Sequence, residues 1–263
     1  MRGKAKTAWP PPSRGVPAGG GFDVRRHGAR TRCRYHPRMD LPPFPDDSAT
    51  LTLPGPAGRL EVAVDPPDED APARPLVAIV CHPLPTEGGT MHNKVVTMTA
   101  RALREVGAAT VRFNFRGTGE SEGAFDHGDG ELDDLRAVAA WVRAQRPGDA
   151  LWLAGFSFGA YVSLRAAAEL QPGMLISIAP PAGRWDFGAI ALPTCPWLVI
   201  QGEADEVVDP QAVYDWLDAA EAEAELVRMP DTGHFFHRKL MDLRGAIKHG
   251  VRDHLPAPRA SVG

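Results

Sequence analysis

Cysteine is scarce in this chain, and no apolar run is long enough to cross a bilayer. The 263 residues include three widely separated cysteines, Cys33, Cys81 and Cys195. They are odd in number, form no zinc-binding spacing, and favour a reducing compartment. No apolar stretch approaches about 18 residues, the length that a membrane-spanning helix requires. We therefore expect a cytoplasmic protein without a membrane span.

Positive charge is concentrated at one end of the chain. Residues 1–38 hold ten Lys and Arg but a single acid, Asp23, whereas the remainder carries 19 basic and 32 acidic residues. An acidic body argues against nucleic acid as the partner. Residues 1–46 are rich in Pro, Gly and Arg and lack apolar periodicity, so we predict a disordered tail there. Met39 offers an alternative start, which would leave residues 1–38 untranslated in nature.

Length and composition fit one α/β domain. Hydrophobic residues make up 43% and charged residues 24% of the chain, as in ordinary globular proteins. We place the domain at residues 47–255 and a short disordered tail at residues 256–263. Strand patterns alternate with helical patterns, which predicts a mostly parallel sheet with helices on both faces.

The predicted elements begin with an antiparallel hairpin and end with a helix. The strands are predicted at 49–53, 60–64, 76–81, 110–115, 151–154, 174–178, 197–201 and 225–229. The helices are predicted at 94–106, 131–146, 210–222 and 237–254, with a further Ala-rich helix after residue 157. Ligands of parallel sheets bind beyond the carboxyl ends of the strands, so the loops there are the candidates for function.

One strand–turn–helix segment carries a serine at its apex. A short apolar run leads into Gly155-Phe156-Ser157-Phe158-Gly159, and the Ala-rich helix follows at once. Such a turn strains the serine backbone and exposes its hydroxyl, and glycines are needed where strand and helix nearly touch. The helix start also presents N–H groups and a positive dipole end to an oxyanion. The pattern predicts that Ser157 is a nucleophile.

A second segment, Gly119-Glu120-Ser121-Glu122-Gly123, matches the same Gly-x-Ser-x-Gly pattern. Its surroundings read as a loop, and no helix begins there. The two neighbouring carboxylates would repel a developing oxyanion. Structural context therefore favours Ser157 over Ser121 as the nucleophile.

A serine hydroxyl needs a base to accept its proton, and the base needs an acid to orient it. On such sheets the order along the chain is serine, acid, histidine. Asp205 follows the strand at 197–201, and His234 follows the last strand. We choose them as acid and base. Glu203 and Asp209 are rival acids, although Asp209 can instead cap the next helix, and His237 is the rival base.

At this point the chain resembles the α/β-hydrolases. It is most similar to small bacterial members that carry His-Pro-x-Pro-x-x-Gly-Gly-x-Met-x-Asn-Lys, which spans residues 82–94 here, and Arg-Phe-Asn-Phe-Arg-Gly-x-Gly-x-Ser, which spans residues 112–121. The similarity covers roughly residues 49–255. It implies a Ser157–Asp205–His234 triad, no large lid domain, and a structural loop around the second serine motif.

The resemblance also indicates where an oxyanion would bind. This fold uses the N–H of the residue after the nucleophile, here Phe158, and one from the loop after the first parallel strand. Prolines at 83 and 85 have no N–H, which makes Leu84 the natural second donor. The neighbouring pair Gly88-Gly89 permits either close approach of a ligand or a tight turn.

The expected function is that of a serine esterase acting on a small acyl substrate. Between the strands ending at residue 178 and starting at residue 197 there is no room for a cap domain, so we expect an open site. Trp185 and Phe187 either line an acyl pocket or pack on the surface. No cofactor is expected, and His82, His92 and Lys94 have no acidic companion at a metal-ligand spacing. A peptidase, a thioesterase and a non-catalytic scaffold are the alternatives.

Overall fold

The computed structural model describes residues 41–260, which form one sheet flanked by helices. The strands are β1 (Ala49–Gly55), β2 (Gly58–Asp65), β3 (Leu76–Cys81), β4 (Ala109–Phe113), β5 (Ala150–Phe156), β6 (Met174–Ile178), β7 (Trp197–Gly202) and β8 (Glu225–Met229). The α-helices are α1 (Lys94–Arg104), α2 (Asp129–Gln145), α3 (Phe158–Leu170), α4 (Pro210–Ala219) and α5 (Leu240–Gly250). Short 3-10 helices cover Pro85–Glu87 and Arg252–His254. Most of the predicted basic tail, residues 1–40, lies outside the described residues, as do residues 261–263.

The sheet is mostly parallel, which confirms the predicted fold class. Its strand order is β1-β2-β4-β3-β5-β6-β7-β8. β1 pairs antiparallel with β2, and β2 pairs antiparallel with β4. Every remaining pairing across the sheet is parallel. The carboxyl ends of β3, β5, β7 and β8 therefore meet at one edge, where the predicted functional loops emerge.

Helices cover both faces of the sheet. All six residues of β3 are buried, as expected for a strand covered on both sides. α1 and α5 pack on each other and on alternate side chains of β3, β5 and β6. On the other face α3 packs against α2 and against the same three strands. No helix within residues 41–260 combines the length and the apolar character needed to cross a membrane.

Side-chain hydrogen bonds set two of the helix starts. At α4 the carboxylate of Asp209 accepts the backbone N–H of Gln211 at 3.0 Å, so Asp209 is the cap. At α2 the carboxylate of Glu131 accepts the N–H of Gly128 at 2.7 Å. This contact lets the helix begin at Asp129, two residues earlier than predicted.

The closing helix is shorter than the predicted 237–254. α5 begins at Leu240, and the last turn is a separate 3-10 helix. Phe236 and Arg238 have φ angles of 52° and 61°, which an α-helix does not accommodate. His237 therefore lies in an exposed turn before the helix rather than at its start.

Both ends of the described chain contact the body. The indole N–H of Trp141 donates to the Pro42 carbonyl at 2.8 Å, and the Phe44 ring stacks on Trp141 at 5.3 Å. At the other end the Arg74 guanidinium donates to the Pro256 carbonyl. Both segments pack on the body although they lie outside the predicted boundaries at residues 47 and 255.

Candidate active site

Ser157 occupies a strained turn between β5 and α3. Its φ and ψ angles are 53° and −118°, a region that non-glycine residues rarely adopt and that costs on the order of 1–3 kcal/mol. Glycines on both sides make the turn possible. A Cβ on Gly155 would collide with the Gly159 carbonyl, and a Cβ on Gly159 would collide with the Cys81 carbonyl at the end of β3. The strand–turn–helix predicted around Ser157 is present.

The backbone of the turn is anchored to the neighbouring strand. The N–H of Ser157 donates to the Ile178 carbonyl at 2.8 Å, and the Ser157 carbonyl accepts the N–H of Ala160 at 2.8 Å. Phe158 occupies the first position of α3, where an N–H has no acceptor within the helix. Among residues 41–260 no acceptor is found for this N–H, which is the donor predicted for the residue after the serine.

The structure brings the three predicted triad residues together. The Nε2 atom of His234 lies 3.1 Å from the Ser157 Oγ, and its Nδ1 atom lies 2.8 Å from the Asp205 Oδ2. The three residues are each more than nine-tenths buried. A carboxylate on Nδ1 keeps the proton on that nitrogen, which leaves Nε2 free to accept the serine proton.

Asp205 is held as an acceptor on both of its oxygens. Oδ1 accepts the backbone N–H groups of Val207 at 2.8 Å and Val208 at 2.7 Å, and Oδ2 accepts the His234 ring and the Gln201 amide at 3.1 Å. Burial alone would raise the pKa of Asp205. The bond and charge of His234 and the two backbone N–H groups outweigh burial and hold that pKa below its ordinary value. The carboxylate is therefore ionised at neutral pH.

The rival residues lie in other roles. Asp209 caps α4 through its side chain. Glu203 and His237 are exposed. Of the candidate acids and bases, Asp205 and His234 are the pair that hydrogen bonds in line with Ser157.

The loop that carries the second predicted oxyanion donor begins beside the serine turn. A Cβ on Gly159 would meet the carbonyls of Cys81 and His82, so the start of α3 touches the start of this loop. Among residues 41–260, no acceptor binds the N–H of Leu84. Gly89, further along the same loop, packs against the Pro83 carbonyl and donates its N–H to the Leu84 carbonyl at 3.0 Å, which indicates a tight turn.

His82 fixes the orientation of that loop. Its Nε2 accepts the N–H of Phe115 at 3.0 Å, so the proton lies on Nδ1, which donates to the Pro83 carbonyl at 2.6 Å. Burial lowers the pKa of His82 to about 4, against the opposing effect of the bond to Pro83. The Pro83 carbonyl and the Leu84 N–H belong to one trans peptide and point in opposite directions. Holding the carbonyl therefore also holds the N–H.

Ser121, in the second serine motif, is engaged on both sides of its hydroxyl. The Oγ donates to the Asn114 carbonyl at 2.6 Å and accepts the N–H of Glu61 at 2.9 Å. Its neighbour Glu122 pairs with Arg59 at 2.7 Å. The second serine hydroxyl ties a loop to strand β2, and no base contacts it within the described residues.

Aromatic side chains surround the serine turn. Trp185 is half-buried with its ring 5.1 Å from that of Phe158, whereas Phe187 is only 5% exposed and belongs to the core. On the histidine side the ring of Phe235 lies 5.1 Å from His234 and is 49% exposed. Trp185 beside Phe158 and Phe235 beside His234 are thus aromatic side chains that remain at least partly exposed near the serine turn.

Two residues that sequence reasoning missed contact the acid and the base. Gln201, at the end of β7, donates to Asp205, and the Glu206 carboxylate accepts the backbone N–H of His234 at 3.2 Å. No motif marks either residue. Within residues 41–260, no group of three or more His, Cys, Asp or Glu residues is arranged to hold a metal ion.

Several proteins are similar to this chain over most of their length. A serine hydrolase without a lid from Xanthomonas campestris is 72% identical with a TM-score of 0.81, covering 83% of this chain and all of that one. An alpha-beta serine hydrolase homologue from Coxiella burnetii is 42% identical with a TM-score of 0.76, covering 79% of this chain and 99% of that one. An uncharacterised protein of Rickettsia prowazekii is 30% identical over 203 residues, which are 73% of this chain and 84% of that protein.

The sheet order, the turn at Ser157 and these similarities define an enzyme of the serine hydrolase class with the α/β-hydrolase fold. The sequence model of one family, the X-Pro dipeptidyl-peptidases of family S15, matches residues 58–193, more than half of the chain. The chain belongs to that family. The matched region includes Ser157 and the loop that bears Leu84, but it ends before Asp205 and His234.

Proposed function

We propose that the chain is a carboxylic ester hydrolase in which Ser157, His234 and Asp205 form the catalytic triad. The observation that carries the proposal is the buried line of hydrogen bonds from the Ser157 Oγ through the His234 ring to Asp205. Its nucleophile stands on a strained turn at the start of a helix, where catalytic serines of this fold stand. The relatives described as serine hydrolases support the same reaction class.

The reaction begins when the Ser157 Oγ attacks the ester carbonyl carbon and its proton passes to the Nε2 of His234. Negative charge moves to the carbonyl oxygen, which would accept the N–H groups of Leu84 and Phe158. One such donor contributes about 3 to 4 kcal/mol in serine hydrolases where it has been removed. Asp205 stabilises the imidazolium without taking its proton.

The tetrahedral intermediate collapses by breaking the bond to the alcohol oxygen, which receives the proton held on His234. The product alcohol leaves, and an acyl group remains on Ser157. Water then attacks the acyl carbon while His234 accepts a proton from it, and the second collapse returns that proton to the serine. The products are an alcohol and a carboxylic acid.

An open rim supports an ester as the substrate. The connection between β6 and β7 contains turns and one isolated bridge, Ala182 with Trp185, in place of a lid. We infer that water and small esters approach Ser157 from that side. Esters also depend less on proton donation to the leaving group than amides do, because an alkoxide leaves with a lower proton affinity than an amide anion.

Peptide cleavage is the second candidate, and the match to the S15 family favours it. A dipeptidyl-peptidase must hold the free amino terminus of its substrate as well as the scissile bond. The same triad would then expel an amine, with His234 as the proton donor. A thioesterase would differ only in the leaving sulfur atom.

Labelling with a fluorophosphonate probe tests the triad. Wild-type protein should react and S157A should not, whereas S121A should react at the wild-type rate. Hydrolysis of p-nitrophenyl acetate, a thioester of the same acyl group and an Ala-Pro p-nitroanilide should then be compared. We expect the highest kcat/KM with the ester. Preference for the anilide would establish the peptidase, and an unreactive wild type would leave only a scaffold.

A further inference from the structure

Strand β7 carries, just before its last residue, a buried glutamine that an apolar strand would not be expected to contain. All six residues of β7 are buried, and Gln201 is 0% exposed. The strand carries Leu198, Val199 and Ile200 immediately before it. A fully buried amide costs free energy unless each of its polar atoms is hydrogen bonded.

The contacts of Gln201 define the orientation of its amide. One polar end faces two acceptors, the Gly202 carbonyl at 3.0 Å and the Asp205 Oδ2 at 3.1 Å. Because only N–H groups can bind two acceptors, that end is Nε2, and the reversed amide would oppose oxygen to oxygen. The amide therefore donates both of its protons next to the acid of the triad.

The other end of the same amide has no partner. The Oε1 atom of Gln201 is buried and makes no hydrogen bond among the residues described. Such an orphaned acceptor costs on the order of 1 to 3 kcal/mol, which an apolar side chain of similar shape would not. A position that keeps a polar side chain at this cost is explained if the amide serves the reaction.

Gln201 completes the set of donors around Asp205. A carboxylate has about four lone-pair sites, and here Val207, Val208, His234 and Gln201 each donate to one. Oδ2 thus divides its negative charge between the catalytic histidine and the glutamine amide. Fewer donors would leave the carboxylate more basic and more strongly bound to a protonated imidazole.

We propose that Gln201 is a positioning residue that sets the strength of the acid–histidine pair. Its amide keeps Oδ2 of Asp205 turned toward His234 and weakens the hold of the carboxylate on the imidazolium. His234 can then accept and return a proton without being trapped in its charged form. This inference rests on the proposed triad and extends it to a residue that touches no substrate.

Two further charged side chains contact the loops that carry the pair. The Glu206 carboxylate accepts the backbone N–H of His234, and the Arg184 guanidinium donates to the Val207 carbonyl at 2.6 Å. Both remain in place when Gln201 is replaced, so their influence on His234 is constant in the comparison that follows.

Replacement by methionine tests the proposal, because Q201M keeps the length of the side chain and removes its donors. We expect kcat/KM for p-nitrophenyl acetate to fall about tenfold. We also expect the acidic limb of the kcat/KM profile to move upward by about 0.5 to 1 pH unit, because the imidazolium gains a stronger partner. The thermal midpoint should change little, because removal of the unpaired Oε1 atom offsets the loss of the donor to the Gly202 carbonyl. A limb that superimposes on that of the wild type would overturn the proposal.

The matched control is S177A. Ser177 is fully buried in the neighbouring strand β6, and its Oγ accepts the indole N–H of Trp197 at 3.0 Å. Its loss removes a buried hydrogen bond at the same depth without touching Asp205. We expect S177A to lower the thermal midpoint and to leave the acidic limb unchanged. An equal limb shift in both variants would mean that any packing defect moves it, which contradicts a specific role for Gln201.

A wild-type measurement covers the case in which Q201M does not fold. The side-chain amide protons of Gln201, assigned by NMR through their contacts with Gly202, should shift with pH at the apparent pKa of the acidic limb. An amide that shows no titration would overturn the proposal. Failure of the proposed hydrolase function and failure of the proposed role of Gln201 give different results. An unreactive wild type in fluorophosphonate labelling removes the hydrolase function, whereas a reactive wild type with unshifted Q201M and a silent amide removes the role of Gln201 alone.

Discussion

The two Gly-x-Ser-x-Gly segments share a pattern and nothing else. At Ser157 the flanking glycines allow a strand and a helix to touch, and the hydroxyl faces a histidine. At Ser121 the glycines have positive φ angles of 54° and 89° and shape an irregular loop, and the hydroxyl is consumed by two backbone groups. A serine acts as a nucleophile only where its proton has a base to go to.

The two serine hydroxyls differ in how many of their hydrogen-bonding positions are already occupied. The Ser121 hydroxyl donates to the Asn114 carbonyl and accepts the Glu61 N–H, so a substrate would have to displace both. The Ser157 hydroxyl has only the His234 ring as a partner among the described side chains, and the neighbouring Phe158 N–H remains available. The motif identifies a turn, and the free donors and acceptors around it decide its role.

The largest expected effect comes from breaking the hydrogen bond between Asp205 and His234, the ring that contacts Ser157 and has no counterpart at Ser121. D205N replaces the acceptor of the His234 Nδ1 proton with an amide and favours the wrong tautomer of the ring. We expect kcat for p-nitrophenyl acetate to fall about 10⁴-fold. The control is D209N, which changes an exposed acid four residues away and retains a good cap for α4. Similar losses in both variants would contradict the assignment of Asp205.

Replacing one glycine in each segment tests the difference between the two turns. A Cβ at Gly159 would collide with backbone carbonyls that cannot move away, so G159A should lower the free energy of unfolding by about 3 kcal/mol and abolish labelling of Ser157. G123A should cost about 1 to 3 kcal/mol through its φ angle and leave labelling intact. Urea denaturation with fluorophosphonate labelling measures both.

G148A is the control for the two glycine variants, because a Cβ there meets no atom within 4 Å. It should be neutral or slightly stabilising. Labelling of G159A at the wild-type rate would show that close contact between strand and helix is not what holds Ser157 in place.

His82 links the two segments, since it touches the start of α3 through its carbonyl and the loop at Phe115 through its ring. The pKa of His82 in the folded protein is about 4, below the ordinary 6.5, so as the pH falls His82 becomes protonated in the unfolded chain before it does in the folded one. The free energy of unfolding therefore has its full value above pH 6.5 and decreases by about 3 kcal/mol as the pH falls toward 4. H82Q keeps an acceptor for Phe115 but does not titrate.

Urea denaturation of wild type and H82Q between pH 4 and 7 tests this linkage. The slope of unfolding free energy against pH should be smaller in the variant, whatever its stability at pH 7. Equal slopes would show that His82 is not buried in its neutral form.

The smallest effect is expected at the second serine. S121A leaves the Glu61 N–H and the Asn114 carbonyl without their partner, which should cost about 1 to 3 kcal/mol of stability while kcat/KM stays within twofold of wild type. S163A provides the control, because that hydroxyl donates only to the Ala160 carbonyl of its own helix, at 3.2 Å, and its loss should cost less. A tenfold loss of kcat/KM in S121A would remove the distinction between the two motifs.

The central strands were predictable because burial on both faces leaves a continuous apolar run. The observed bounds of β3 and β6 match the predicted ones to the residue, and so do those of the partly exposed edge strand β8. The start of the closing helix was not, because Phe236 and Arg238 adopt positive φ angles that no glycine announces. Non-glycine residues in that region are held by tertiary contacts, which a local pattern does not contain.

The residues of the candidate site also fall into those that were predicted from the sequence and those that were missed. Ser157 was predicted from a motif with a mechanical cause, and Asp205 and His234 from their order along the chain. Gln201 escaped because a glutamine within an apolar run carries no signal, and its role depends on the carboxylate that the following loop turns back onto it. Side chains that act on other side chains become visible only when strands and loops are placed together.

The sheet order separates the three proposed partners onto β5, β7 and β8, with β6 between the first two. The histidine is 77 residues from the serine and 29 from the aspartate, so no excised fragment of moderate length contains the complete relay. Reactivity toward an acyl compound is consequently a property of the finished tertiary structure. During refolding it should be among the last signals to return, after the helices have regained their dichroism.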